Sequence, residues 1–275
     1  MERLQAAIEK ARTKRSGSRA TRRNLNLATR ILEPELDEAW STIREVFVDP
    51  EQLALSRVVA NQTGHGPVAI NLLRTRVLHQ MREQKFKRLA ITSPTAGCGK
   101  STMIANLATS LARQGETRTL VLEMDMRRPA LAKIFGFRKG SGSLSEVIEG
   151  KISFSEHAVR FGENLIFGFN HKPAERPSEL LSSADMSEFL TEIEDKYRPD
   201  VMLFDMPPML LTDDTLGFLS NVQSTMLVAA AGTTTIEQID VCERDIAERS
   251  SFLGVVLNKC EYVGPAAGYE YSDYS

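Results

Sequence analysis

A glycine-rich segment, SPTAGCGKST at residues 93–102, constrains the fold more than any other part of this chain. It follows an apolar, strand-like run and precedes a helix-forming run. Gly97 and Gly99 let the backbone come close enough for successive N–H groups to point at one anion. Lys100 adds a mobile ammonium group, and Ser101 adds a hydroxyl suited to Mg²⁺. The segment therefore predicts the phosphate-binding loop of a nucleoside triphosphate site.

The loop departs from the consensus G-x-x-x-x-G-K-[ST] at its first glycine, where Pro94 stands. The strand before it and the helix after it favour the assignment over the alternative, a glycine-rich surface turn. The residues predicted to contact the nucleotide share this loop and the first helical turn: Thr95, Ala96, Gly97, Cys98, Gly99, Lys100, Ser101 and Thr102.

Composition limits the class of protein. Of the 275 residues, 42% are hydrophobic, which is usual for one large α/β domain with an extension. The net charge of −2 argues against a general nucleic-acid binder. Three cysteines, an odd number without metal-ligand spacing, fit a reducing cytoplasm. Since no apolar run reaches the roughly 18 to 20 residues that span a bilayer and the N-terminus lacks a signal-peptide centre, we expect a cytoplasmic protein that meets the membrane through a partner.

From about Pro67 onward, strand-like and helix-like patterns alternate. The predicted strands are residues 89–92, 119–124, 165–167, 201–204, 225–230 and 253–257. Such alternation predicts an α/β fold with a mainly parallel sheet covered by helices. Ligands of open sheets of this kind bind beyond the carboxyl ends of the strands, so one site is expected there.

Acidic side chains follow two of these strands. Asp125 comes after the second strand and Asp205 after the fourth. Carboxylates beside a phosphate loop are expected to organise Mg²⁺, so Ser101, Asp125 and Asp205 are the predicted metal ligands. For Asp205 the alternative is a turn or helix-cap residue. Asp125 could instead take a proton from an attacking hydroxyl, and the sequence leaves both roles open.

Two arginines follow Asp125. Arg127 and Arg128 could stabilise charge on a transferring phosphoryl group, and a surface ion pair is the alternative for each. The residues predicted to carry the chemistry are Lys100, Asp125, Asp205 and Arg127.

Asn258 ends the last apolar strand. Its amide could read an adenine edge through a paired donor and acceptor, or it could simply turn the chain. It is added to the predicted nucleotide contacts.

The C-terminal end, YVGPAAGYEYSDYS at residues 262–275, holds four of the five tyrosines in the chain. Because it lacks aliphatic periodicity, it is expected to be mobile. Beside a phosphoryl donor, such hydroxyl groups are natural acceptors; without one, the segment would be an aromatic-rich tail. The predicted acceptors are Tyr262, Tyr269, Tyr271 and Tyr274.

The first 60 residues differ in composition from the rest, with a basic block followed by an acidic one. Apolar residues recur there at helical spacing in two sets: Leu4, Ile8 and Ala11, then Leu36, Trp40, Ile43 and Phe47. One interpretation is solvated helices on a flexible arm, and the other is an arm that docks to a partner or to anionic lipid. We expect three parts: an extension at 1–60, a P-loop domain at 61–261 and a tail at 262–275.

The motifs SPTAGCGKST, VLEMDMRRP and VMLFDMPP, together with the tail, resemble the bacterial protein-tyrosine kinases that control capsule and exopolysaccharide assembly, in their stand-alone cytoplasmic form. The similarity covers roughly residues 60–275. It implies a deviant P-loop fold like that of the Min and Par ATPases. It also implies a loop that binds ATP and Mg²⁺, a second Walker motif around Asp125, a third at Asp205 and autophosphorylation of the tail.

The same resemblance implies partners. They are a membrane polysaccharide co-polymerase as activator, a cognate tyrosine phosphatase and further copies of the chain, with no nucleic acid. Such a protein would sit at the inner face of the cell membrane through its partner.

The chain also departs from the family pattern. Thr95 stands where Min and Par ATPases carry a signature lysine, which favours a kinase over a positioning ATPase. Glu123 replaces the first aspartate of the second Walker motif. The family's Glu-x-x-Arg-x-x-Arg oligomerisation motif would fall on Val68, Asn71 and Arg74, of which only Arg74 matches.

Three hypotheses follow. The first is an ATP-dependent protein-tyrosine autokinase. The second is a nucleotide-gated adaptor of a polysaccharide-export membrane protein that transfers little phosphate, and Glu123 keeps it open. The third is a positioning ATPase, which Thr95 and the tail disfavour.

Overall fold

In residues 34–60, 65–137 and 142–261, which the computed structural model describes, eight strands form one sheet. In chain order the strands are β1 (Arg44–Glu45), β2 (Arg88–Thr92), β3 (Thr119–Glu123), β4 (Val159–Phe161), β5 (Leu165–Gly168), β6 (Val201–Asp205), β7 (Ser224–Ala230) and β8 (Ser251–Asn258). Their order in the sheet is β1-β4-β5-β3-β6-β2-β7-β8. Neighbouring strands are parallel except β4 and β5, which are antiparallel.

Helices flank this sheet, as expected for parallel strands that need crossover connections. The flanking helices are α2 (Pro50–Leu55), α3 (His65–Glu83), α4 (Lys100–Ala112), α5 (Leu131–Ile134), α6 (Leu144–Ile148), α7 (Phe154–His157), α8 (Pro177–Leu181), α9 (Ala184–Tyr197), α10 (Asp214–Phe218) and α11 (Ile236–Ala247), with a 3₁₀ turn at Leu219–Asn221. A further helix, α1 (Pro34–Ser41), precedes β1 in the chain. The predicted fold class is confirmed. Among the described residues, we find no helix long and apolar enough to cross a bilayer.

The six predicted strands are all present, within two residues of the predicted ends. Their central members, β3 and β6, are buried along their whole length and read as nearly continuous apolar runs. The sequence did not reveal β1 and β4, because two and three residues are too few to show an alternating pattern.

The register of the central strands creates the site. Ile91 of β2 and Glu123 of β3 are both paired with Asp205 of β6. These parallel strands therefore end at one edge of the sheet, and the loops that follow them meet there.

The predicted helix through Leu36, Trp40, Ile43 and Phe47 is wrong beyond residue 41. Helix α1 ends at Ser41, and β1 follows at once, pairing Arg44 with Val159. Phe47 lies after this strand and is 91% exposed. The strand pairing overrides the helical spacing because the extended backbone of β1 interrupts the repeat. The set at Leu4, Ile8 and Ala11 lies outside the described residues.

The chain divides into two compact units between Thr42 and Ile43. The structure describes the first unit only at residues 34–42. The second unit thus begins well before residue 61, where the sequence placed the P-loop domain. Leu53, Val58 and Ala60 belong to its hydrophobic core, so residues 43–60 contribute to the packing of this unit.

Candidate nucleotide site

The predicted phosphate-binding loop connects β2 to α4. Gly97 and Gly99 have φ angles of 82° and 93°, in the left-handed region that favours glycine. A side chain at Gly97 would meet open space, whereas a Cβ at Gly99 would collide with the amide nitrogen of Asn258. Thr95 and Ala96 precede these glycines, and Lys100, Ser101 and Thr102 form the first turn of α4. The loop therefore has the strand-turn-helix form of an anion cradle.

Asn258, at the end of β8, contacts this loop through its side chain. Its Nδ2 atom donates a hydrogen bond to the carbonyl oxygen of Cys98 at 2.9 Å. The side-chain amide of Asn258 thus holds the backbone of the phosphate-binding loop at Cys98. Its contact with adenine stays a prediction, and it does more than turn the chain.

Lys100 lies between the two predicted acids. Its Nζ atom is 2.7 Å from Oδ2 of Asp125 and 3.5 Å from Oδ1 of Asp205. All three side chains are largely buried. Burial alone would lower the pKa of Lys100, but the charges of Asp205 and Asp125 outweigh it and hold the pKa above its usual value. The structure brings together these three residues as the sequence predicted.

Asp205 is fully buried, and its Oδ2 atom has no hydrogen-bond partner among the described residues. Burial raises the pKa of this carboxyl group, and the charge of Lys100 opposes the shift without cancelling it. An unpartnered buried carboxylate oxygen is costly unless a cation completes it. Together with the Ser101 hydroxyl, this oxygen suits Mg²⁺, which takes oxygen ligands and keeps positions for water and phosphate. In the described part of the chain, no cluster of three or more His, Cys, Asp or Glu side chains could hold a metal.

Asp125 has both carboxylate oxygens engaged. Oδ2 contacts Lys100, and Oδ1 accepts a hydrogen bond from the backbone N–H of Arg128 at 3.0 Å. The backbone of the following loop therefore sets the orientation of this carboxylate.

The Glu123 carboxylate contacts backbone N–H groups of neighbouring segments instead of the phosphate-binding loop. Its Oε1 atom accepts the backbone N–H groups of Ala130 and Leu131 at 2.5 and 2.6 Å, at the start of α5. Its Oε2 atom accepts the N–H of Asn170 at 2.7 Å. Burial raises the pKa of Glu123 to about 8, although these three N–H donors oppose the shift. The longer side chain thus reaches a helix start and a neighbouring loop.

The predicted phosphoryl contact Arg127 is engaged in an ion pair. Its Nε and Nη2 atoms lie 2.7 and 3.0 Å from the two carboxylate oxygens of Asp214, and Nη2 lies 2.9 Å from the Ser178 hydroxyl. The ion pair was the alternative interpretation of this arginine. The side chain of Arg128 is exposed. Sequence reasoning missed Asp214 and Ser178. Asp214 lies 87 positions from Arg127 and Ser178 lies 51 positions from it, and nothing in the sequence signals that they would meet.

Arg74, the remaining residue of the oligomerisation motif, faces α4. Its Nη1 atom donates to the carbonyl oxygen and the hydroxyl of Ser110, both at 3.1 Å. Val68, at the first position of the motif, is 59% exposed. The predicted phosphoacceptors Tyr262, Tyr269, Tyr271 and Tyr274 lie outside the described residues.

Comparison with known proteins agrees with this geometry. Residues 89–263 match the family model of the CobQ/CobB/MinD/ParA nucleotide binding domain. The chain is 32% identical over 189 residues to the tyrosine-protein kinase YwqD of Bacillus subtilis, an alignment that covers 68% of this chain and 78% of YwqD. It is 31% identical over 215 residues to the putative tyrosine-protein kinase AmsA of Erwinia amylovora, covering 76% of this chain but only 28% of AmsA. The kinase domain of the Escherichia coli tyrosine kinase ETK superposes with a TM-score of 0.69 at 26% identity, over 78% of this chain and 84% of that domain.

The fold, the loop and the acids define a P-loop nucleotide-binding protein of the CobQ/CobB/MinD/ParA class. Within that class, the chain belongs to the bacterial tyrosine-protein kinases. It spans about a quarter of the length of some of these relatives and about four fifths of others.

Proposed function

We propose that the chain is an ATP-dependent protein-tyrosine autokinase that phosphorylates its own C-terminal tyrosines and thereby regulates exopolysaccharide or capsule polymerisation and export. One observation supports this most: Lys100 lies buried between Asp125 and Asp205 beside a glycine-rich loop at one edge of the sheet. One ammonium group and two carboxylates thus lie within one site, and we assign them the roles of phosphate-binding cation, metal ligand and second acid. Membership of the tyrosine-protein kinases adds the acceptor class.

The residues would divide the work as follows. The backbone N–H groups of residues 95–100 bind the phosphates, and Ser101 and Asp205 hold Mg²⁺ through oxygen. Bound Mg²⁺ would neutralise charge that develops on the transferring phosphoryl group. Lys100 turns from Asp125 toward the phosphates when ATP binds, because they offer it more charge than one carboxylate.

That movement has a consequence for Asp125. Its Oδ2 atom loses the contact with Lys100, while Oδ1 stays bonded to the N–H of Arg128. A carboxylate oxygen is then free to accept the proton of a tyrosine hydroxyl. Coupling of ATP binding to the release of this oxygen would limit the chemistry to the loaded enzyme. Assistance to the metal is the other role open to Asp125.

The setting of this activity is part of the proposal. We place the protein in the cytoplasm at the inner face of the membrane, recruited and activated by a membrane polysaccharide co-polymerase. A cognate tyrosine phosphatase would reset the tail, and self-association would bring tails to neighbouring sites.

The deciding experiment is incubation of purified protein with Mg-ATP, followed by phosphotyrosine detection and mass spectrometry of the tail. Lys100→Ala should abolish the signal, since removal of a phosphate contact from such a site costs on the order of several kcal/mol. Lys151→Ala is a matched control, because Lys151 is an exposed lysine that forms an ion pair with the exposed Glu149. Undiminished phosphotyrosine in a folded Lys100→Ala protein would refute the site.

A nucleotide-gated adaptor is the second candidate. The observation that favours it is the engagement of both Glu123 oxygens by backbone N–H groups, which leaves Asp125 and Asp205 as the acids near Lys100. An adaptor would bind Mg-ATP and change its affinity for a partner without producing phosphotyrosine. The same incubation therefore separates the two functions.

A further inference from the structure

Asp214 is a buried carboxylate that binds one guanidinium group through both of its oxygens. It lies at the start of α10 and is 1% exposed. The two contacts to Arg127, at 2.7 and 3.0 Å, form the fork-to-fork arrangement that is the most directional of protein ion pairs. The Arg127 side chain is 43% exposed, so less than half of its surface is in contact with solvent.

The anchored arginine belongs to the loop that presents Asp125. Directly after Arg127, the N–H of Arg128 holds Oδ1 of Asp125 at 3.0 Å. Directly before Arg127, the carbonyl oxygen of Met126 accepts the N–H of Ala174 at 2.9 Å. A fixed Arg127 side chain therefore restrains the peptide group that orients the Asp125 carboxylate.

The same carboxylate also contacts α8. The carboxylates of Asp214 and Asp213 share the one hydrogen of the Ser178 hydroxyl through their Oδ1 atoms, and the hydroxyl oxygen accepts from Nη2 of Arg127. Asp214 thus joins its own segment to two others, the loop at 125–128 and α8 at 177–181. Burial alone would raise the pKa of Asp214, but the contacts with Arg127 and Ser178 hold it below its usual value.

We infer that Asp214 is a positioning residue for phosphoryl transfer, which acts through Arg127 on the orientation of Asp125 and ties α8 to the same loop. This inference rests on the proposed function. It assigns Arg127 to the support of the site instead of to direct contact with the transferring phosphate.

The first test compares Asp214→Asn with Glu194→Gln. Both changes remove the charge from a carboxylate 2.7 Å from an arginine Nε, but Glu194 pairs with Arg88, which begins β2 at the end remote from the loop. Asp214→Asn should lower kcat for phosphotyrosine formation at least tenfold and change KM for ATP less than threefold. Glu194→Gln should leave both constants near those of the wild type. A loss of ATP affinity equal to the loss of rate would contradict a role through Asp125.

The second test separates anchoring from direct charge stabilisation. Arg127→Lys keeps the charge but cannot form the two-point contact. Anchoring predicts that it loses about as much rate as Asp214→Asn, and that the double variant loses little more than either alone. Added guanidinium ion should not rescue Arg127→Ala, because a free ion can occupy Asp214 without restraining the loop. Rescue by guanidinium, or near-normal activity of Arg127→Lys, would overturn the inference.

A third measurement does not depend on kinase activity. Hydrogen exchange of the Arg128 amide and of α8 should rise in Asp214→Asn and stay unchanged in Glu194→Gln. If the wild type makes no phosphotyrosine, the proposed function fails while this measurement still decides the role of Asp214. Unchanged exchange in both segments would refute it. If Asp214→Asn does not fold, Arg127→Lys takes its place, since its change lies on a partly exposed side chain.

Discussion

The ammonium group of Lys100 lies 2.7 Å from the carboxylate of Asp125, with only 11% and 7% of the two side chains exposed. Removal of either charge from such a pair leaves the other buried without compensation. In this site the consequence is larger, because Asp205 faces the same ammonium group. Stability should therefore depend on Lys100 in a manner that changes with pH.

Lys100→Ala should destabilise the protein by roughly 3 kcal/mol or more near pH 8, and less on acidification. The charge of Lys100 opposes the effect of burial on the pKa of Asp205. Without the lysine, this pKa therefore rises further above its value in the unfolded chain. When the pKa of a group is higher in the folded protein than in the unfolded chain, the protein loses stability as the pH rises above the pKa of the unfolded chain. Urea unfolding between about pH 5 and pH 8 measures the effect, with Lys151→Ala as control. A difference from wild type that does not vary with pH would contradict this view of the site.

Glu123 should impose a second pH dependence on stability. Its pKa of about 8 in the folded protein lies above the ordinary value of 4.5, so stability falls as pH rises between these values. The full shift corresponds to on the order of 4 to 5 kcal/mol. Glu123→Gln should remove most of this slope while lowering stability at acidic pH, because an amide cannot accept all three N–H groups. The exposed Glu149→Gln serves as control, and a slope retained in Glu123→Gln would exclude this carboxyl group as its source.

The contact between Asn258 and the phosphate loop should appear in nucleotide affinity. Asn258→Ala removes the bond to the Cys98 carbonyl, and a loosened loop should bind ATP roughly five- to tenfold more weakly, as expected for about 1 to 1.4 kcal/mol. Gly99→Ala should lose far more, because its Cβ meets Asn258 and its φ is left-handed. The double variant should recover part of that loss. Titration with a fluorescent ATP analogue measures all three, and strictly additive losses would show that the two residues do not interact.

The tail should receive phosphate from a neighbouring molecule. Each phosphate brings roughly −1.5 to −2 charges, so a modified tail is expected to leave the site by repulsion and hydration. A Lys100→Ala protein mixed with a tail-less, otherwise intact protein and Mg-ATP should become phosphorylated on its tail. Absence of phosphate there, although full-length protein labels itself, would mean transfer within one chain. If Phe at positions 262, 269, 271 and 274 leaves phosphotyrosine undiminished, the acceptor lies elsewhere.

The role of the N-terminal arm is best tested by removal of residues 1–33. Deletion through residue 60 would also remove Leu53, Val58 and Ala60 from the core, and would test folding instead. The shorter deletion should leave ATP binding intact and release the protein from membrane fractions if the arm docks a partner. Equal membrane recovery of both forms would count against docking, and measured ATP affinity shows that the truncated protein remains folded.

The sequence predicted the central sheet and the meeting of Lys100, Asp125 and Asp205, since apolar strands are readable and parallel strands deliver their ends to one edge. It could not predict side-chain contacts that no strand end brings together. Asn258 meets Cys98 across 160 positions, and Arg127 meets Asp214 across 87. No local pattern encodes such contacts, because they depend on how loops pack after the sheet has formed. For the same reason the sequence shows Glu123 only as a replacement for the first aspartate of the second Walker motif, whereas in the fold its carboxylate accepts the N–H groups at the start of α5.

The orientation of Arg74 toward Ser110 changes what would hold copies of this chain together along α3. The outward positions of that helix include Val68 and Leu72, which are 59% and 42% exposed. Association through ion pairs weakens as ionic strength rises. Apolar contacts persist, and they strengthen in salts such as sulfate that are excluded from the protein surface. Assembly through this face would therefore tolerate high salt and respond instead to temperature, as burial of hydrocarbon does.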